Sequence, residues 1–412
     1  MTLLTVTKRK LWVSILIGLM IFYSLGTGFA FFFRLLYAII ITMAIGLLWA
    51  WFNLKGLEIR LNRTIWHGQV GDSLGGELQI INRYRLPKSW ITVKEISTIP
   101  GYTSGRAIAL VQNQRRSWLI EHELGVRGKY LCGEIEVTSQ DPFGLFQLKR
   151  SFLSSREFTV FPKTELLPDL NPQLSSLPSD AKSTHRSDHI TTDSATIRTY
   201  RSGDSPRRIH WPYTARMNSL MVKEFEAGIS AESWVLLDMH NQSHVGQDPV
   251  DNSEELAVTV ACSLINKLTS LSMPVGLTAN SESYCKFRPD RNTAHMQNMM
   301  LALASIRSNG RVRLRQFIYD LEHQLNRFSS LIVVTPSNRT EWIEALAFLK
   351  SKGIKVSVIY IDPSKFSSSS ASDHTIQELL ESEISSYIVD KNQTINACLK
   401  SPIQAQLETT RI

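Results

Sequence analysis

Between Thr196 and Glu226 the chain reads TIRTYRSGDSPRRIHWPYTARMNSLMVKEFE. This sets Arg198, Arg201, Arg207, Arg208, Arg216 and Lys223 among Asp204, Glu224 and Glu226, with Tyr200, His210, Trp211 and Tyr213 interleaved. Guanidinium groups offer forked N–H donors that match carboxylate and phosphate oxygens two at a time, so this density of arginine suits the capture of an acidic partner or a phosphate. The same composition suits an internal salt-bridge network that fixes the segment on the fold, and the sequence leaves both readings open. Gly203-Asp204 followed by Pro206 signals a turn and SLMVKEFE reads as a strand. The arginines are therefore expected to flank a loop leading into a sheet edge. An enzyme with a dispersed site around Asp204, Arg208 and His210 is a further alternative, although no paired carboxylate or nucleophile stands near His210 in the chain.

Other reactive side chains carry less. His240 and His244 are four apart, the spacing of a zinc pair on a helix, but Gly246 and Pro249 make the segment a loop. Cys132, Cys262, Cys285 and Cys398 are scattered without C-x-x-C pairing. Cys262 lies on the apolar face of a helical run and Cys132 in a strand, which are core positions. The short signatures of P-loop NTPases, dinucleotide enzymes, zinc proteases and serine hydrolases are missing from the sequence.

The elements that must hold these residues are written in the texture of the 412-residue chain. The first 53 residues contain no Asp or Glu, and Leu11–Phe33 and Leu35–Phe52 are each long and apolar enough to cross about 30 Å of hydrocarbon as a helix. Gly26, Gly28 and the lone charge Arg34 mark the expected turn between them. A cleaved signal peptide would need only residues 1 to 30, and the second apolar run argues against it. Lys8, Arg9 and Lys10 before the first span and Lys55, Arg60 and Arg63 after the second place both ends in the cytoplasm by the positive-inside rule. The expectation is an inner-membrane protein, multi-pass, with its large soluble part cytoplasmic. Lys8, Arg9, Lys10 and Arg34 carry half of the +8 formal charge, and the mild remainder does not point to nucleic acid.

From Leu57 to Phe161, alternation in GELQIIN, WITVKEI, WLIEHEL and GEIEVTS, punctuated by Gly71-Asp72, Leu86-Pro87 and Pro100-Gly101, predicts a small antiparallel sandwich of immunoglobulin-like type. Within it DPFGLF (Asp141–Phe146) reads either as a turn whose aromatics pack inward or as an exposed hot spot for a partner. A polar tract from Pro168 to Thr192 reads as a connector. Beyond Ser233, apolar strands (WVLLD, PVGLTA, LIVVT, KVSVIYI, SYIV) alternate with helical runs at 254–271, 296–306, 314–328 and 341–352, which predicts a doubly wound, mostly parallel α/β sheet. Ligands of such sheets sit at the carboxyl ends of the strands, here near Asp238 and Thr335. The expected layout is two transmembrane helices in 1–54, a β-rich domain in 55–165, a linker in 166–195 and the arginine-rich segment with the α/β domain in 196–412.

The run R-x-Y-R-x-G-D-x-x-R-x-I-H-W-x-x-T-A-R-x-x-x-L-M-V-K-E-F-E, together with RGKYLCGEIEVTSQDPFGLF (Arg127–Phe146), resembles the bacterial family of the domain of unknown function 58. The resemblance covers nearly the whole chain. It implies a membrane-anchored adaptor or scaffold with a von Willebrand factor A-like α/β domain, often encoded beside a MoxR-type AAA+ ATPase and acting in the assembly or activation of client proteins. Domains of the von Willebrand type commonly hold a divalent metal through D-x-S-x-S after the first strand, and Asp with hydroxyls suits Mg²⁺. Here that segment reads LLDMHNQS: Asp238 is retained while His240 and Gln242 replace the serines, and Ser243, Thr335 and Asp362 are the remaining candidates for an altered site. A metal-dependent protein-binding module centred on Asp238 is accordingly the alternative to a metal-free adaptor.

Overall fold

The computed structural model describes residues 2–170, 194–200, 209–225, 232–282, 285–326, 329–366 and 372–404, with the backbone alone for 2–10, 194–198 and 223–225. The chain divides into two compact units, Met1–Pro162 and Lys163–Ile412.

The first unit begins with helices α1 (Thr2–Thr27) and α2 (Ala30–Leu54). α2 is long and apolar enough to cross a bilayer, and the apolar part of α1 runs from Leu11 to Thr27. The turn between them falls at Gly28, whose φ of +63° only glycine adopts freely; Tyr23 and Phe32 stack across it at 5.9 Å. Arg34 therefore lies inside α2, exposed, and not in the connection where its charge had suggested it. Backbone conformation set the break; one charged side chain at a helix surface does not.

Ten strands follow: β1 (Leu57–Asn62), β2 (His67–Gln69), β3 (Ser73–Asn82), β4 (Lys88–Ile96), β5 (Arg106–Leu110), β6 (Arg115–Glu123), β7 (Gly128–Cys132), β8 (Glu134–Gln140), β9 (Gln147–Ser151) and β10 (Arg156–Phe161). Sheets β1-β3-β6 and β5-β4-β8-β9 are antiparallel throughout. Their inward residues, including Leu78, Ile80, Ile91, Val93, Ile120, Ile135 and Val137, form one shared core. Alternate side chains of a strand point to opposite faces, so this core is what the sequence alternation required. The small sheet β2-β10-β7 departs from the antiparallel expectation, because β2 pairs with β10 in parallel.

In the second unit β11 (Ser194–Thr199), α3 (Trp211–Met217) and β12 (Met221–Phe225) come first. They are followed by β13 (Ser233–Leu237), α4 (Ser253–Ser270), β14 (Val275–Ala279), β15 (Cys285–Asp290), α5 (Thr293–Ser305), α6 (Leu314–Glu322), β16 (Ser330–Thr335), α7 (Glu341–Ser351), β17 (Lys355–Ile361), α8 (Asp373–Glu381), β18 (Ser385–Val389) and α9 (Ile395–Cys398). The main sheet has the order β15-β14-β13-β16-β17-β18, parallel except for its edge strand β15. Successive residues of β13 serve opposite faces. Val235 and Leu237 join a core with α4 and α5, while Trp234 and Leu236 join one with α6, α7 and α8. Helices on both faces explain why β13, β14 and β16 are buried at every position and read as unbroken apolar runs. Leu167 is buried in the first of these cores and Glu165 N–H donates to Ser263 Oγ, so the stretch that opens this unit is docked on its α/β core.

Candidate functional site

The order of the main sheet reverses direction between β13 and β16, and the carboxyl ends of two parallel strands that diverge in this way leave a crevice between their outgoing loops. Asp238, the first residue after β13, sits at that point with no exposure to solvent. Its Oδ2 accepts from Thr335 Oγ1 at 2.8 Å, the last residue of β16. Its Oδ1 accepts from Asn280 Nδ2 and from the His240 backbone N–H, both at 3.0 Å. Burial of a carboxylate is tolerated where hydrogen bonds replace its water, and here three donors, from the end of β16 and from the loops after β13 and β14, do so.

The same atoms pin the loops. Asn280 Oδ1 accepts from Met239 N–H at 2.5 Å and its Nδ2 reaches Val312 O at 2.9 Å. Gly310 pairs with His240 in a parallel bridge, its N–H bound to Met239 O and its carbonyl to Asn241 N–H. A Cβ at 310 would lie 1.6 Å from the Asn280 carbonyl oxygen, so only glycine lets this loop come so close. His244 Nε2 contacts Asp238 O at 2.7 Å and Nδ1 faces Ser253 Oγ at 3.3 Å, which fixes the first loop against the start of α4.

That docking carries Arg313 and Arg315 beside a shallow open cleft, lined also by His240, Ser243, Ser337, Arg339 and the exposed Glu341. Arg313, Arg315 and Arg339 are exposed. Arg339 Nη2 is held by Gln242 Oε1 at 2.9 Å, and Arg315 faces Glu344 at 3.8 Å. Among the described residues neither Arg313 nor Arg339 forms an ion pair, so two of the three guanidinium groups at the cleft stand without a carboxylate partner, with Glu341 the one acidic side chain in its lining.

The donors around Asp238 do not fit a resident Mg²⁺. Each carboxylate oxygen already accepts at least one protein hydrogen, His240 and Gln242 occupy positions that would need hydroxyls, and arginines line the approach. Among the described residues no cluster of three or more His, Cys, Asp or Glu side chains is placed to hold a metal. Ser243 lines the cleft and Thr335 binds Asp238, so both stand near it, whereas Asp362 follows β17 and caps a short 3-10 turn by accepting from Ser364 N–H. The histidine pair lies on a loop, as its sequence implies.

The arginine-rich segment is arranged differently from the expectation of a main-sheet edge. β12 pairs with β11 and, through Val222, with Ile209, making a separate two-stranded ribbon. Arg198 lies on β11 opposite Val222; Lys223 and Glu224 lie on β12 opposite Ile197 and Thr196. His210 Nδ1 accepts from Tyr213 N–H at 3.1 Å and so caps α3, whose Trp211 is 65% exposed and whose Arg216 is exposed in the last turn. Arg201, Asp204, Arg207 and Arg208 lie outside the described residues, and with them two members of the enzyme alternative. Sequence reasoning did not find Asn280, Gly310, Arg313, Arg315 or Arg339. Asn280, Gly310, Arg313 and Arg339 share one sign, position in the loops that leave or approach the carboxyl ends of buried strands, while Arg315 stands in the first turn of α6.

Residues 196–377 match the family model "Protein of unknown function DUF58". A relative, the uncharacterized protein YeaD of Bacillus subtilis (strain 168), is 23% identical over 192 residues, 46% of this chain and 46% of the relative. The match thus spans about half the length of that protein. Among solved structures, the pilus adhesin SpaC of Lactobacillus rhamnosus GG covers 43% of this chain and 29% of its own at 13% identity and a TM-score of 0.32. A β-glucosidase from Listeria innocua covers 25% and 16% at 13% identity and a TM-score of 0.18.

Proposed function

We propose that this chain, whose residues 196–377 are a DUF58 domain, is a membrane-anchored docking protein that receives an acidic segment of a partner in the cleft of Arg313, Arg315 and Arg339 without a metal ion. The observation that carries this reading is the combination at the switch point: a buried Asp238 already supplied with three protein donors, next to exposed Arg313 and Arg339, which form no ion pair among the described residues. Metal-dependent modules of the von Willebrand type use a cation to capture a partner's carboxylate. Here guanidinium groups do the same task directly, since their forked donors match carboxylate oxygens. The sheet order with an antiparallel edge strand supports the von Willebrand factor A-like assignment of this domain. The partner we infer is a MoxR-type AAA+ ATPase or a client it remodels, on the cytoplasmic side of the inner membrane, and the apolar helix pair supplies the anchor.

The test is binding of a MoxR-type ATPase from the same genome, and of a fluorescent acidic peptide, to the full chain in lipid nanodiscs. Binding that falls steeply with salt, is lost in Arg313→Glu/Arg339→Glu and is indifferent to Mg²⁺ bears out the cleft. Peptide binding that requires Mg²⁺ or disappears in Asp238→Asn would restore the metal module, and ATPase binding untouched by the arginine changes would move the docking surface elsewhere.

A further inference from the structure

The DPFGLF turn is tied to a membrane helix. Asp141 Oδ1 accepts from Phe146 N–H at 2.6 Å and Oδ2 from Phe143 N–H at 3.0 Å, which folds the turn back on itself. The side chain of Asp141, 4% exposed, packs against α2 at Gly46, where an added Cβ would lie 3.4 Å from Oδ2. Phe143, in the same turn, is 57% exposed. Further along α2, Asn53 Nδ2 donates to Ser89 O at 2.9 Å and Lys88 Nζ donates to Phe52 O. This holds Trp90, 77% exposed and at a φ of +60° that a bulky residue rarely adopts, beside the end of the helix.

Height along the helix pair can be read from the turn at Gly28. At 1.5 Å per residue, Leu11 on α1 and Gly46 on α2 both stand about 25 Å from it. Lys8, Arg9 and Lys10 immediately precede Leu11, so the apolar layer on α1 ends at the level of Gly46. Two turns of α2 then extend past that layer, carrying Trp49 and Trp51, and Lys55 Nζ lies 4.7 Å from the Trp51 ring. Aromatic side chains and lysine at this height are what the bilayer interface selects, because an amphipathic ring can bury its apolar body and keep its polar edge wet.

We propose that Phe143 and Trp90 are a membrane foot: the β unit rests on the bilayer surface, with Phe143 at the hydrocarbon boundary and Trp90 among the head groups. The occupant of this exposed aromatic edge is lipid, because the turn that carries Phe143 is fixed to α2 at the height where the apolar layer ends. This proposal rests on the membrane anchoring of α1 and α2, and its test separates the two. The full chain, reconstituted in vesicles of phosphatidylcholine and phosphatidylglycerol, carries a photo-crosslinking benzoylphenylalanine at Ile41, Phe143, Trp90 or Leu119 in turn. Ile41 lies on α2 and is 58% exposed; Leu119 is 70% exposed and pairs with Glu77, whose own partner Asn62 is at the far end of β1 from α2. The expected result is lipid adducts at Ile41, Phe143 and Trp90, several-fold above Leu119. Adducts at Ile41 without adducts at Phe143, or adducts at Phe143 to protein instead of lipid, overturn the foot and leave the anchor standing. Lipid adducts equal at Leu119 and Phe143 overturn it as well, and an unlabelled Ile41 removes the anchor and the foot together.

Discussion

Glu95 in the β unit and Asp238 in the α/β unit are withdrawn from water almost equally, 1% and 0% exposed, yet their partners differ in kind. Glu95 takes a two-pronged bond from Arg63, 2.7 Å from Nη1 and 3.1 Å from Nη2, and also accepts from Gly133 N–H and Tyr102 OH. Burial alone would lower the Arg63 guanidinium, but the hydrogen bond and charge of Glu95 outweigh it and raise it; burial, then Glu95, pushes the Tyr102 phenol up. Asp238 has only neutral donors, while the arginines of its region stand outside in solvent. A carboxylate matched by its own buried arginine is a closed construction joint. One held by neutral dipoles makes no claim on the guanidinium groups of its region, and Arg313 and Arg339 form no ion pair among the described residues.

The largest effect is expected where that matching is broken. Arg63→Met strands Glu95 in the core, and removing one member of a buried pair costs about 3 to 5 kcal/mol, read as a fall in calorimetric unfolding temperature of the β unit. Asp238→Asn keeps the shape and alters hydrogen bonds to one charged group, about 1.5 to 3 kcal/mol. If denaturant unfolding found Asp238→Asn as damaging as Arg63→Met, neutral donors and a salt bridge would be equivalent here and the contrast would collapse.

Lys88 sharpens it from the other side. It is 1% exposed with the Phe52 carbonyl as its hydrogen-bond partner and the Tyr84 ring at 4.7 Å, and burial pushes its amine down to about 8. The unfolded chain holds this proton up to the ordinary value of 10.5. Between about 8 and 10.5 the unfolded state therefore binds more protons, and stability rises with pH through this group. Wild type should gain on Lys88→Met as pH is raised from 8 to 10 in paired melts; Cys132, its thiol pushed up to about 11 by burial, is common to both and cancels. Parallel curves would show that Lys88 is not desolvated. The smallest effect on stability belongs to Arg339→Ser, within about 0.5 kcal/mol for an exposed residue, while the acidic-peptide affinity of the cleft drops. A destabilisation of several times that size would make Arg339 a structural residue.

Much of this arrangement was legible in the chain. The alternation WITVKEI predicts strand β4, and its own period places Glu95 on the same inward face as Ile91 and Val93. A charge on a buried face is the sign of a partner, but Arg63 lies in a different segment and only pairing of the sheets brings it there. Asp238 and Thr335 were readable because each ends an apolar strand. Asn280 ends PVGLTA in the same way, yet a neutral amide gives no charge signal. Arg313 and Arg339 escaped because the loops that carry them converge through tertiary contacts such as the Gly310 bridge, which leaves no local pattern. The edge strand β15, CKFRPD, was hidden by its half-exposed texture and Pro289, which an edge tolerates because one side of the strand needs no ladder bond.

The joint between α2 and β4 also has a mechanical meaning. Lys88 binds the Phe52 carbonyl in the last turn of the helix and Asn53 exchanges bonds with Ser89, so the end of the helix is fixed to β4 at two points. With α2 set in a bilayer as proposed, a change in its tilt, whether from bilayer thickness or lateral tension, would pass to the strands of the β unit as torque instead of being absorbed by a flexible stalk.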